Sequence, residues 1–521
     1  MGSLPPSSTP PSQFPILTPP LPTDPSLPPF LVSTTRGFLP RVDPPSTLPP
    51  EFSALESILQ RMPVKTVSGS PGLLATYSLG ENVSANLPDL TEEVDKYKDD
   101  LVIVNALYRD YSFVASAYLL EPCHESFVRG ESYGLARDVL PKQVARPIVR
   151  CAEILHFKPF MEYAGSYALY NYRLASPSDG MAYDNLRLVR AFEKGMDPTS
   201  SEAGFVLVHI EMVKHSGPLV AGAVAALSAC SPSDESKPSS LTTAKRHELN
   251  EGLARMYGAL SKINEVMETM WTRSKPGSYT SFRTFIFGIT SQSMFPRGVL
   301  YEGVFDSPAL PPPAPKADSE NINNIADEGE RGRGTRLQFR GESGANDSIV
   351  PLCDNLLQIS MPSTPLTEIL RDFRSYRPSN HRQFLEWVKD FAGEARIRDK
   401  AVALGSDVAD VEGLAETRRL WLLVLDKVRE FRYRHWCFAR EYIIKKTTHP
   451  TATGGSPIVT WLPNQLEAVL GEMTRLYAAV GGDDGGGLGK ELRDIMHVVT
   501  RQKETLMKEV EKYCAERGVK G

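Results

Sequence analysis

Residues 415–446 read AETRRLWLLVLDKVREFRYRHWCFAREYIIKK. Apolar side chains recur along this run at spacings of three and four, the period of an amphipathic helix. Its second half holds Phe431-Arg-Tyr-Arg-His-Trp-Cys-Phe438, in which Arg432 precedes His435 by three residues. Both can therefore point to one side of the helix. That pairing suits a haem, with a neutral imidazole for the iron and a guanidinium for a propionate. A core histidine beside a solvated arginine has the same spacing, so spacing alone leaves both readings open.

Working outward, runs 205–227, 243–273, 381–398, 464–479 and 490–515 repeat the helical period. Pro378-Ser379 and Pro463-Asn464 supply start signals for two of them. Residues 51–200 are choppier, with short segments such as 163–172 punctuated by Pro, Gly and Asp. The expected fold is mainly α, with a smaller, mostly helical N-terminal domain over 51–200 and a large all-helical domain over 201–521. Of the 42 prolines, 16 fall in the first 50 residues. A segment so short of backbone donors predicts a disordered or extended tail over 1–50. Composition also predicts disordered insertions at about 231–240, 308–336 and 481–489, and there is no internal repeat.

The length of 521 residues allows two to four domains. A net charge of -5, from 58 basic and 63 acidic side chains, lacks the basic footprint of a nucleic-acid binder. The six cysteines are scattered without a CxxC pair, which argues against a zinc ribbon or disulfide scaffold and for a reducing compartment. The longest nearly apolar run, 217–230, is shorter than the ~20 residues that a bilayer core requires. The N-terminus has no basic leader, and a cytoplasmic protein with no membrane partner is expected.

No phosphate loop, HExxH, GxSxG or EF-hand pattern is present. Of nine histidines, most are expected to be structural. His435 stands out for its helix and for Arg432. His209 lies one turn after Phe205 on another predicted helix, where the two could line a pocket or fill a core. His381, in the first turn after Pro378, is a rival ligand, although such a position favours a surface or turn-capping role.

Several blocks together bring a family into view. Ser281-Phe-Arg-Thr-Phe-Ile-Phe-Gly288 followed by Gly298-Val-Leu-Tyr-Glu-Gly303 resembles the signature of the indoleamine 2,3-dioxygenases. In the same order, Leu140-Pro-Lys-Gln-Val-Ala145 resembles the family's LPRNIA stretch. Tyr163-Ala-Gly-Ser166 through Asn171-Tyr172, and Tyr183-Asp-Asn-Leu186, match two further blocks. Gly204-Phe-Val-Leu-Val-His209 is similar to its distal helix, and Gly341-Glu-Ser-Gly-Ala-Asn-Asp-Ser348 to GGSAGQSS. His381-Arg-Gln-Phe-Leu385 and Ala452-Thr-Gly-Gly-Ser456 complete the set, which covers roughly 90–480.

The resemblance implies a helical haem b domain capped over its distal pocket by the smaller N-terminal domain. The implied enzyme inserts both atoms of O2 across the indole C2–C3 bond of L-tryptophan, giving N-formyl-L-kynurenine, the start of the kynurenine route. It would need a reductant to keep the iron ferrous, and would act as a monomer. A haem-binding sensor of the same fold, or a dioxygenase for another indole, is the alternative. By motif, the iron ligand falls on His435 and not on His381. Arg432 falls on a propionate contact, Asp354 on a carboxylate linked to the proximal histidine, and Ser343 and Gly344 on the haem edge. Arg283 falls on the arginine that fixes the substrate carboxylate. Phe205, Tyr163, Ser166 and Tyr167 fall on the indole pocket, and Thr453 on a loop that closes over the substrate's amino-acid end.

Two positions depart from the pattern. Where animal members carry serine this chain has His209, which would accept the indole N–H as the distal histidine of the tryptophan 2,3-dioxygenases does. Five residues before Arg283, where the family carries a pocket aromatic, stands Ser278. Either a ring is lost there, or Tyr279 takes the role.

Overall fold

The computed structural model describes residues 13–195, 197–231, 241–305, 332–361, 372–403, 410–446, 452–455, 458–482 and 489–517. The architecture is mainly helical, as the periodicity predicts. The decisive run forms the helix Val411–Phe438, capped by the Asp410 carboxylate, which accepts the Gly413 N–H at 2.8 Å, and it passes into a π-turn over Ala439–Ile444. It packs on the helix Thr243–Glu268, where Asn264 donates to the Lys427 carbonyl (3.1 Å) and accepts from Arg434 (2.6 Å). That second helix crosses Ser216–Ala229 at two glycines: a Cβ added to Gly222 would fall 2.7 Å from the Gly252 carbonyl oxygen.

The run 205–227 is not one helix. It breaks at His215 into Ser201–Lys214 and Ser216–Ala229. The break is where the N-terminal segment docks: Phe38 donates its N–H to the Ser216 hydroxyl (2.9 Å), and Gly217 lies so close that a Cβ would meet the Thr35 carbonyl oxygen at 2.3 Å. The helix Ile458–Ala479 begins five residues ahead of Pro463, which lies within it and is not its start.

The expected disordered tail is corrected by the structure from residue 13 onward; residues 1–12 lie outside the described residues. Phe30, Val32, Phe38 and Leu39 are buried, and Phe14 packs on Phe384 (5.4 Å between centroids) and Trp387 (6.0 Å) of the helix Ser379–Glu394. Prolines leave carbonyls without local donors. Here Arg41 supplies them, donating to the carbonyls of Pro22 (2.5 Å), Leu27 (2.8 Å) and Pro28 (3.1 Å). Side-chain burial and one buried guanidinium thus fix a segment that has little secondary structure of its own.

The choppy region hides the helix Leu101–Val128, 28 residues long and buried on nearly every side. Its charges are neutralised internally. Asp110 pairs with Arg109 and Arg190, both at 2.7 Å, and Glu121 accepts the N–H groups of Leu79 (2.7 Å) and Gly80 (3.1 Å). A small sheet places Val299–Glu302 between Val139–Leu140, parallel, and Gly334–Leu337, antiparallel. The predicted insertion to 336 is corrected at its end by that last strand. The rest of the three insertions falls almost entirely on 232–240, 306–331 and 483–488, outside the described residues. Among the described residues, no helix is long and apolar enough to cross a membrane.

Candidate functional site

Two helices face each other across a cavity. Ser201–Lys214 presents His209 and Phe205, and Val411–Phe438 presents His435. His209 donates Nδ1–H to the Phe205 carbonyl (2.8 Å), the helical i−4 acceptor. In the neutral ring this leaves Nε2 as the acceptor. That atom would lie 3.6 Å from a Cβ built on Gly344, so the ring points at the opposite wall. Burial lowers the pKa of His209 and takes that of His435 down to about 4, with His209 and Arg432 adding to the latter. Two neutral imidazoles therefore face one apolar space.

The other walls are aromatic and small. Phe205 packs on Tyr279 (5.5 Å) and on the His209 ring (4.9 Å). Thr453 donates its hydroxyl to the Glu342 carbonyl (2.9 Å) and its own carbonyl accepts the Gly288 N–H (2.9 Å), pinning its loop over the site. Gly288, which ends the block begun at Ser281, admits no side chain because a Cβ would lie 2.0 Å from the Gly341 nitrogen.

A second cavity shares Gly344, Asp347, Phe431, His435, Trp461 and Leu462 with the first. Its charged lining is Arg374, Arg377, Arg382, Lys389 and Arg432 with Asp347, Asp354 and Glu386. Arg432 donates one N–H to Asp354 (2.7 Å), but its Nε and Nη1, and Nε of Arg382, are buried without a hydrogen-bond partner. Orphaned guanidinium donors call for acidic groups. The joined space, with one neutral imidazole on its wall, fits a flat apolar macrocycle carrying carboxylates, which is a haem. Among the described residues no three His, Cys, Asp or Glu converge as a metal site, so a metal held by side chains alone has no counterpart there.

The family model described as indoleamine 2,3-dioxygenase matches residues 26–514. The chain belongs to that family. Relatives include indoleamine 2,3-dioxygenase 1 of Mus musculus, 25% identical over 56% of this chain and 62% of the mouse protein. Indoleamine 2,3-dioxygenase 2 of Homo sapiens is 23% identical over 68% of this chain and 84% of its own length. Indoleamine 2,3-dioxygenase nanC of Aspergillus nanangensis is 24% identical over 67% of this chain and 72% of its own. The match thus spans less than two thirds of the mouse relative.

Against the family pattern, the structure brings Phe205, His209, Tyr279, Ser343, Gly344, Thr453 and His435 to one cavity, and Arg432 and Asp354 to the second. Ser278 is not among the lining residues, whereas Tyr279 is. Tyr163, Ser166, Tyr167 and Arg283 are not among the lining residues. Tyr163 stands just behind His209 (5.9 Å), and Ser166 spends its hydroxyl on the Glu162 carbonyl (2.7 Å). Tyr167 stacks on Phe113 (6.0 Å) and Phe192 (6.4 Å). Arg283 is fully buried, its guanidinium 4.5 Å over Phe287 and beside the Tyr279 hydroxyl.

Asp354 pairs through Oδ2 with Arg432 at 2.7 Å, while its Oδ1 is buried without a hydrogen-bond partner. His381 is neither at the surface nor in the site. It is buried between Phe30 (5.7 Å) and Phe38 (5.0 Å), its Nε2 unpartnered and its pKa pushed by burial to about 3. Sequence reading missed Glu342 and Asp347, both cavity-lining carboxyls whose pKa values burial raises to about 8 and about 6. Their only signal was adjacency to Ser343-Gly344, since neither lies on a periodic face.

Proposed function

We propose that this chain is a haem b dioxygenase that opens the indole ring of L-tryptophan between C2 and C3, giving N-formyl-L-kynurenine. The observation that carries the reading is the pair of neutral imidazoles facing each other across an apolar cavity that continues into an arginine-lined one. Haem, when bound, supplies the activation of O2. His435 would hold the iron, and Arg432 with its unpartnered donors would hold a propionate.

The chain's own groups would do the rest. Phe205 and Tyr279 flank the indole, and Nε2 of His209, held as an acceptor by the Phe205 carbonyl, takes the indole N–H and fixes the ring's tilt. The Thr453 loop excludes water. Both oxygen atoms end in the product as the C2–C3 bond breaks and two carbonyls form, so no net electrons are consumed. A reductant is needed only to keep the iron ferrous. Arg283 would receive the substrate carboxylate, which requires it to trade its contact with the Tyr279 hydroxyl. Its position outside the lining favours, as a second reading, an indole other than tryptophan. The remaining expectations, a cytoplasmic monomer feeding tryptophan catabolism and cofactor supply, are part of this proposal.

The test is formation of N-formylkynurenine from L-tryptophan by haem-loaded, reduced protein under 18O2. Doubly labelled product is expected. Protein with a normal Soret band that yields none from tryptophan would exclude the tryptophan reading.

A further inference from the structure

The helix Val411–Phe438 is bridged along its length to the last helix of the chain, Gly489–Arg517. Arg419 donates to Glu491 (3.1 Å), Arg429 to Gln502 (2.8 Å), and Trp436 gives its indole N–H to Glu509 (2.7 Å). Residue numbers ascend together on both sides, so the two helices run parallel here. The last bridge differs from the others because its carboxylate is shared. Oε2 of Glu509 accepts from Trp436, the residue after His435, and Oε1 accepts Nη1 of Arg440 (2.5 Å). Trp436 is fully buried and meets the ring of Tyr513, one turn beyond Glu509, edge-on at 6.2 Å. Arg440 belongs to the π-turn Ala439–Ile444, where the Lys445 N–H reaches back five residues to the Arg440 carbonyl (3.0 Å). Such wide turns are rare and concentrate at functional sites. Ala439, Tyr442 and Ile443 of this turn line the cavity between the two histidines.

Resting on the reading of His435 as the haem-iron ligand, we propose that Glu509 is a positioning residue for that ligand. It lines neither cavity and acts through Trp436 and Arg440. One oxygen holds the residue that follows His435, and the other holds the wide turn that continues the wall. Together they fix the rotation of the segment on which the imidazole stands. A carboxylate suits this task because its two oxygens accept two donors at once in set directions, and the guanidinium charge strengthens the arrangement. Apolar contact between the helices would hold them together without fixing that rotation. The bridge from Arg419 to Glu491 lies far from His435 along the same pair of helices, and serves as the internal control.

The experiment is resonance Raman spectroscopy of the iron–histidine stretch in the ferrous, haem-loaded full chain, with haem transfer to an acceptor protein as a second readout. It compares wild type with Glu509→Ala, Glu509→Gln, Trp436→Phe and Glu491→Ala. Glu509→Ala should shift or broaden the band and speed haem transfer roughly tenfold, the worth of one charge-assisted hydrogen bond. Trp436→Phe, which removes one donor, should move the band in the same sense. Glu509→Gln keeps an acceptor for Trp436 and should fall between Glu509→Ala and wild type. Glu491→Ala should leave both readouts at wild-type values. A lowered melting temperature in Glu509→Ala with an unchanged band overturns the proposal, because Glu509 would then hold the fold and nothing more. An equal shift from Glu491→Ala overturns it as well. Should Glu509→Ala fail to fold, wild-type bands in both Trp436→Phe and Glu509→Gln refute the assignment. A wild-type chain that binds haem and shows no iron–histidine band removes the reading of His435, and the proposal with it, so the two failures are distinguishable.

Discussion

The two joined cavities differ in charge. The one between His209 and His435 is walled by rings, methionines and two carboxyls, with no cation among its described lining residues. The one beyond Gly344 is edged by four arginines and a lysine against three carboxyls, and Arg382 and Arg432 have buried, unsatisfied donors. In a low-dielectric interior such segregation acts as an orienting field. It would draw the acidic edge of the proposed macrocycle toward the arginine-bearing side. His435 lies on the wall common to both.

The largest effect expected from breaking this arrangement comes from that wall. His435→Ala should lose the haem Soret band and lower turnover by more than about 100-fold, since loss of outer-shell partners alone costs 10–100-fold. An unchanged spectrum would show that another group holds the iron. On the basic side, Arg432→Ala should speed haem loss to an acceptor protein by roughly tenfold to a hundredfold, since it removes a charged donor and strands Asp354. A wild-type loss rate would mean that the orphaned donors serve no propionate.

His381 gives the baseline of a buried histidine in neither cavity. Its folded pKa of about 3 lies below the unfolded value of about 6.5, so the unfolded chain binds more protons in that window and stability falls as pH drops through it. By pH 5 this one group costs about 2 kcal/mol. His381→Gln should flatten the acid slope of chemical unfolding by about one proton while keeping the haem spectrum, and an unchanged slope refutes the assignment. The smallest effect lies on the apolar side. His209→Ala should narrow discrimination between L-tryptophan and 1-methyl-tryptophan by about tenfold, the worth of one hydrogen bond. Equal turnover of both by the wild type would remove the indole N–H contact.

Legibility followed burial pattern. The helix Val411–Phe438 was readable because it is amphipathic, and its histidine and arginine fell where the run placed them. Leu101–Val128 was not, because it is buried all round and carries Arg109, Asp110 and Glu121 inside, which no periodicity marks. The proline-rich segment was misread because composition counts missing donors but does not see Arg41 returning them from within the same segment. Seven predicted pocket residues reached the cavity, while Ser166 and Tyr167 were used up by local backbone and core packing.

By itself the sequence determined the helical class, the helix bearing Arg432 and His435, and, through collinear blocks, the family, because all of these are local patterns or ordered motifs. Only the tertiary structure decided that Tyr279 rather than Ser278 faces the cavity, that Arg283 is buried outside its lining, and that His381 is core. It also decided that Glu342 lines the cavity. Each depends on which surfaces distant segments bury against one another, and a residue's chemistry at a site is set by the neighbours that remain once that burial is complete.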